Sequence, residues 1–149
     1  MSTLIITCGM PGCGKSTWAA LQDNVTVVSS DAIRQDLTGD ITDQRRNGEV
    51  FDIFHQGISD CLAHSRTVIA DSTALDKFAR DKLRQIADER GAVLILALWA
   101  NPLEAISRNA DRERMVPEDV MRRMADKLAA TILSLDDEQY LYDQVLWMS

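Results

Sequence analysis

Residues Gly9 to Ser16 read GMPGCGKS, a full match to the pattern G-x-x-x-x-G-K-[ST]. Glycines at this spacing let backbone N–H groups turn inward around a polyanion, in conformations that side chains would obstruct. A lysine after the last glycine can bridge the β- and γ-phosphates of a nucleotide, and the hydroxyl that follows can reach Mg²⁺. Phosphate binding is therefore assigned to Gly9, Gly12, Cys13, Gly14, Lys15, Ser16 and Thr17, metal contact to Ser16, and a catalytic charge to Lys15. The predicted ligands are ATP or another nucleoside triphosphate, with Mg²⁺. Such a pattern carries meaning only in the right context. Here Leu4–Cys8 is a short apolar run of strand type and Thr17–Leu21 continues as a helix, so strand, glycine loop and helix follow in the required order.

Three further groups of side chains decide what a bound triphosphate is used for. Asp31 follows the β-branched stretch Val25–Ser29. A carboxylate there can orient an acceptor hydroxyl and take its proton as the bond to phosphorus forms. It can equally cap the helix over Ala32-Ile33-Arg34. Arg34 lies one helical turn on, on the same face, and suits a second phosphate or carboxylate on the substrate. A solvated surface arginine has the same spacing.

Asp71 ends the apolar run Thr67–Asp71, where a carboxylate can help hold Mg²⁺ or fix the Ser16 hydroxyl. The alternative is a turn residue before the next helix. Arg108, Arg112 and Arg114 come just ahead of Met115-Val116-Pro117, in the manner of a lid that closes over phosphoryl oxygens. Ion pairs with Glu104, Asp111 and Glu113 are the competing reading. His55 and His64 have no partner pattern, and Trp18, Phe51 and Phe54 read as packing.

The elements that must position these residues alternate. Strands are predicted at Leu4–Cys8, Val25–Ser29, Thr67–Asp71, Ala92–Leu98 and Val145–Met148. Helices are predicted from Asp31 to about Leu37, from Gln44 to His64 with a break possible at Gly48 or Gly57, from Asp76 to Glu89, and after Pro102 and Pro117. The inward faces are Phe51, Phe54, Ile58, Cys61 and Leu62, then Ala79, Leu83 and Ile86, then Val120, Met121, Met124 and Leu128. Alternation of this kind predicts a parallel sheet covered on both faces, with ligands at the carboxyl ends of the strands. Asp31, the glycine loop and Asp71-Ser72-Thr73 all fall there.

The 149 residues suit a single domain over 1–149, and no repeat or linker divides them. The longest apolar stretch, Ala92–Ala100, is strand-sized, and neither a membrane span nor a secretory signal is expected. Cys8, Cys13 and Cys61 show no metal-ligand spacing and fit a reducing cytoplasm. A net charge of −7 argues against broad nucleic-acid coating, so a polyanionic partner must enter a focused pocket. The Asp136-Asp137-Glu138 run and Asp143 read as an acidic tail.

Together these pieces resemble the kinase domain of the phage polynucleotide 5′-kinase/3′-phosphatase family and its small relatives. The matching residues are GMPGCGKSTWA at 9–19, Ser30–Gln35, Ile69–Ser72, Arg108-Asn109 with Arg112, and Val116–Val120. The resemblance implies a three-layer α/β fold with a five-stranded parallel sheet in the order 2-3-1-4-5, and a lid over about 101–118. It implies that Lys15, Ser16 and Thr17 contact the donor phosphates and that Asp31 is the general base for a 5′-hydroxyl at a DNA or RNA end. Arg34 would grip the phosphate on the 3′ side of that nucleotide, and Asp71 would organise the acceptor side. Arg112 would be the lid arginine on the transferring group with Arg108 in support, and Arg114 is its rival. A bacterial or phage-infected cytoplasm is the implied setting.

No D-x-D-x-T nucleophile motif occurs, so 3′-phosphatase activity is not expected. Relatives with the same loop and base phosphorylate other hydroxyls, on antibiotics, sugars, nucleosides or hydroxymethylated bases in DNA, and this is the second reading. A nucleotide-binding switch is the third; it lacks an N/T-K-x-D motif and leaves Asp31 and Arg34 without a purpose.

Overall fold

The computed structural model describes residues 1–64, 66–111 and 115–149. Along the chain run β1 (Thr3–Cys8), α1 (Lys15–Ala20), β2 (Thr26–Ser29), α2 (Ser30–Thr38), α3 (Asn47–Ala63) and β3 (Thr67–Asp71). Then come α4 (Lys77–Glu89), β4 (Val93–Trp99), α5 (Pro102–Ala110), α6 (Glu118–Glu138), a 3-10 turn at Gln139–Leu141 and β5 (Gln144–Met148). The five strands form one parallel sheet in the order β2-β3-β1-β4-β5, as expected. Central strands of such a sheet are covered on both faces and must be apolar throughout. Leu4, Ile6, Leu96 and Leu98 accordingly have no exposed surface. Among the described residues no helix is long and apolar enough to cross a membrane.

Two local differences from the sequence reading have clear causes. Gly57 does not break α3, which buries Val50, Phe54, Ile58 and Leu62 along one face from end to end. That helix begins at Asn47 rather than Gln44 because Asp43 captures the preceding chain. Its Oδ1 accepts from the Arg45 backbone N–H at 2.9 Å, and Arg45 pairs with it through two side-chain bonds of 2.8 and 3.0 Å. A side chain bonded to nearby backbone competes with helix formation. Those hydrogen bonds hold the Asp43 carboxyl at about 2.

The Asp136-Asp137-Glu138 run is not a tail; it closes α6, and Glu138 is buried. Glu138 receives two bonds of 2.9 Å from the Arg80 guanidinium and one of 3.2 Å from the Tyr142 hydroxyl. Arg80 also donates to the Ala74 carbonyl at 2.9 Å and to Thr131 Oγ1 at 3.2 Å. Burial pushes the Tyr142 hydroxyl up and the neighbouring Cys8 thiol to about 12.

The segment after β3 is thereby fixed carbonyl by carbonyl. Thr7 Oγ1 donates to Ser72 O, the Gly9 N–H to Thr73 O, and Arg80 with Cys8 Sγ to Ala74 O. Thr131 Oγ1 donates to Leu75 O and the Arg80 N–H to Asp76 O. Removing one member of a buried ion pair strands the other's charge and costs about 3–5 kcal/mol, whereas an apolar replacement of both is near neutral. Arg80→Ala is expected to lose stability on that scale in urea denaturation, and the double variant Arg80→Met, Glu138→Leu to recover most of it.

Candidate active site

The glycine loop leaves the carboxyl end of the central strand β1 and opens into α1. Gly12 (φ 81°) and Gly14 (φ 107°) take left-handed conformations that side chains resist. At Gly9 a β-carbon would lie 2.9 Å from Cys13 Sγ and 3.0 Å from Trp99 Cβ, so only glycine fits. The N–H groups of Lys15, Ser16 and Thr17 open α1, where the first donors of a helix lack an intrahelical acceptor. The Lys15 ammonium is buried and donates to the Gly9 carbonyl at 2.9 Å and the Met10 carbonyl at 2.7 Å. Its positive charge is thus stationed on the loop itself. Left-handed glycines, free first-turn donors and a stationed cation fit a nucleotide's phosphates.

Ser16 Oγ donates to Asp71 Oδ2 at 2.8 Å across 55 residues, one of the roles that the end of β3 offered. Asp71 is 8% exposed. Burial raises its carboxyl above the usual aspartate range, against the Ser16 hydrogen bond and the Lys15 charge that lower it. The Asp31 carboxylate adds to the rise, so the two acids share one field. A hydroxyl oriented by a carboxylate is a suitable ligand for Mg²⁺.

Sheet register brings the third group in. Ser29, the last residue of β2, pairs with Asp71 of β3, so α2 starts beside that carboxylate. Ser29, and not Asp31, caps α2: its hydroxyl accepts from the Ala32 N–H at 3.2 Å. Asp31 stands in the first turn with its side chain 58% exposed and has no capping duty. Arg34 is not a surface arginine; it is 5% exposed. Its Nη1 donates to Asp31 Oδ1 at 3.2 Å, and its Nη2 to Asn47 Oδ1 at the start of α3. Its Nε is buried with no hydrogen-bond partner among the described residues.

From α5, Arg108 reaches over the loop to the Gly12 carbonyl at 3.4 Å while paired with Glu104. The ion pair with Glu104 that competed with the lid reading is therefore present, beside a contact to the loop backbone. Asn109, near the end of α5, donates to the Val116 carbonyl at 2.8 Å and accepts from the Val116 N–H at 2.9 Å. Arg112 and Arg114 lie outside the described residues. Beneath Arg108 opens a cleft of about 670 Å³, lined by Gly14, Lys15, Thr17, Trp18 and Trp99 among others. Trp18 packs edge-on against Trp99, with ring centres 5.6 Å apart.

Three contributors were not read from the sequence, and Asn109 entered only with the resemblance, without a role of its own. Asn47 and Arg80 gain their meaning from partners 13 and 58 residues away and carry no local signal. Ser29 did carry one, as a serine immediately ahead of a helix.

A phosphate loop on the central strand of a parallel sheet in the order 2-3-1-4-5 is a P-loop kinase-type fold. The chain belongs to the AAA_33 family, described as an AAA domain, whose model matches residues 4–132. No curated protein sequence matches it significantly. Among solved structures it is similar to a chain of the Pnkp1/Rnl/Hen1 complex (TM-score 0.64, 21% identity), covering 78% of this chain and 42% of that one. It is similar to a chain of the PezAT toxin–antitoxin system of Streptococcus pneumoniae (0.68, 16%), covering 97% and 66%. Shikimate kinase from Acinetobacter baumannii is similar over 100% and 85% (0.57, 16%). The chain thus spans less than half of the first and about two thirds of the second. At these identities the likenesses establish the fold.

Proposed function

We propose that this chain transfers the γ-phosphoryl group of ATP, or another nucleoside triphosphate, to the 5′-hydroxyl at a DNA or RNA end. The observation that carries this reading is the pair Asp31 and Arg34. An exposed carboxylate with no capping duty stands beside a buried, anchored guanidinium, next to the Ser16–Asp71 contact. A hydroxyl flanked by a phosphate is the acceptor that such a pair suits.

In this reading Lys15 and the loop N–H groups hold the donor phosphates, and Thr17 adds its hydroxyl. Mg²⁺, for which Ser16 backed by Asp71 is the ligand position, supplies charge neutralisation on those phosphates when bound. Asp31 takes the hydroxyl proton as the acceptor oxygen bonds to the γ-phosphorus, while the bond from phosphorus to the β–γ bridging oxygen breaks and the nucleoside diphosphate leaves. Arg34 grips the phosphate on the 3′ side. Arg108 and Arg112 stabilise the transferring group from the lid.

The test is γ-labelled ATP with a 5′-hydroxyl oligonucleotide, a 5′-phosphorylated control and a panel of small hydroxyl metabolites. Label on the first alone supports the reading; label only on a metabolite replaces it with a small-molecule kinase of the same chemistry. Arg34→Ala sharpens the answer. One charge-assisted contact contributes about 1.5–3 kcal/mol, hence about one to two decades in kcat/KM. Wild type is expected to prefer a nucleoside 3′-monophosphate over the bare nucleoside, and the variant to lose most of that preference.

A further inference from the structure

Asn47 is the first residue of α3, thirteen positions from Arg34, and its side chain is exposed apart from this contact. A guanidinium carries only donors, so the amide oxygen of Asn47 must face Arg34. That assignment leaves the Asn47 amide N–H₂ beside the guanidinium with no hydrogen-bond partner among the described residues. Arg34 is held from one side by a charged acceptor, Asp31, and from the other by a neutral one. Its buried Nε also has no hydrogen-bond partner among the described residues. A second carboxylate in place of Asn47 would also fix the guanidinium, but it would cancel its charge. An amide fixes it, leaves its charge available and offers donors of its own.

We propose that Asn47 is an acceptor-specificity residue: it anchors the Arg34 guanidinium through Oδ1 and supplies its amide N–H donors to the same oxyanion. The inference rests on the proposed reading in one respect, that Arg34 meets an anionic group of the acceptor. When that group binds, Arg34 exchanges Asp31 for the oxyanion while Asn47 keeps it in place. The Asp31 carboxylate is then free for the hydroxyl proton. The acceptor class is a hydroxyl compound with a phosphate on the same sugar, placed as a 3′-phosphate is to a 5′-hydroxyl, not a neutral polyol.

The experiment compares wild type, Asn47→Ala and Asn47→Asp, all exposed-site changes. Two readouts are taken: steady-state kinetics on a nucleoside 3′-monophosphate and the bare nucleoside, and ¹⁵N NMR of the side-chain amide and guanidinium signals on titrating the 3′-monophosphate. Asn47→Ala is expected to raise KM for the 3′-monophosphate about tenfold, the scale of one hydrogen bond to a charged group. KM for ATP should stay unchanged, and the preference for the 3′-monophosphate over the bare nucleoside should fall. Asn47→Asp separates the two roles, because it can still accept from Arg34 but cannot donate and repels an anion. It should be at least as impaired as Asn47→Ala. Wild-type behaviour in Asn47→Asp, or an unchanged KM in Asn47→Ala, overturns the proposal and leaves the kinase reading standing. A wild-type Asn47 signal that shifts on binding without any phosphorylation does the reverse. If the 3′-monophosphate neither binds nor reacts, both fall.

Discussion

Asp31→Asn is expected to fold and bind ATP as wild type does while phosphoryl transfer falls by about 10²–10⁴, the span typical of a general base. The structure makes this a cleaner test than the sequence allowed. Ser29 holds the Ala32 N–H, so replacing Asp31 removes no cap from α2. Asparagine keeps an oxygen for Arg34 and is close to isosteric, so the guanidinium stays in place. What is lost is the capacity to receive a proton. Ser29→Ala supplies the reciprocal control, with about 0.5–2 kcal/mol of stability lost and the chemistry intact. The measurement is single-turnover transfer from labelled ATP beside thermal melts of both variants. Near wild-type transfer in Asp31→Asn would assign the proton to another group.

Lys15→Ala is expected to lower transfer by about 10²–10³, the cost of removing one preorganised electrostatic contact to developing charge. The ammonium sits on the Gly9 and Met10 carbonyls, so the variant also releases two loop acceptors. Circular dichroism and nucleotide binding are therefore measured alongside turnover. A folded variant that turns over at the wild-type rate would reduce the loop to a structural turn.

The phosphate loop was legible because its requirements are local: glycine where φ is positive, lysine and serine at fixed offsets, an apolar strand before and a helix after. Sheet order came with the resemblance and not with periodicity, since alternation of strand and helix fits several winding orders. Asp31 was visible as a candidate, but Ser29, Ser30 and Asp31 are three good capping residues in a row, and only the backbone decides among them. Arg34 could not be seen as buried. Its cover comes from α3, whose start was read three residues early because Asp43 and Arg45 form a turn that propensity does not register. Arg80 was hidden for a related reason: it lies in a helix rich in charge, where solvent exposure is the ordinary expectation. Its partner is 58 residues away in what read as an acidic tail.

The fixed carbonyls from Ser72 to Asp76 have a consequence for how this pocket could change its acceptor. That wall is tied to β1, α4 and α6 at every residue, so a substitution there would drag the Ser16–Asp71 contact with it. Residues 39–47, by contrast, bond among themselves at Asp40–Thr42 and Asp43–Arg45 and otherwise to the ends of α2 and α3, and most of them face water. In the proposed kinase reading, with the acceptor between these two segments, one is a datum and the other a dial. Lengthening, shortening or recharging residues 39–46 would retune which hydroxyl is presented to Asp31 while the donor phosphates and their metal position stay registered. A scaffold divided in this way can diversify its substrates by drift in a single linker, without re-solving the chemistry each time.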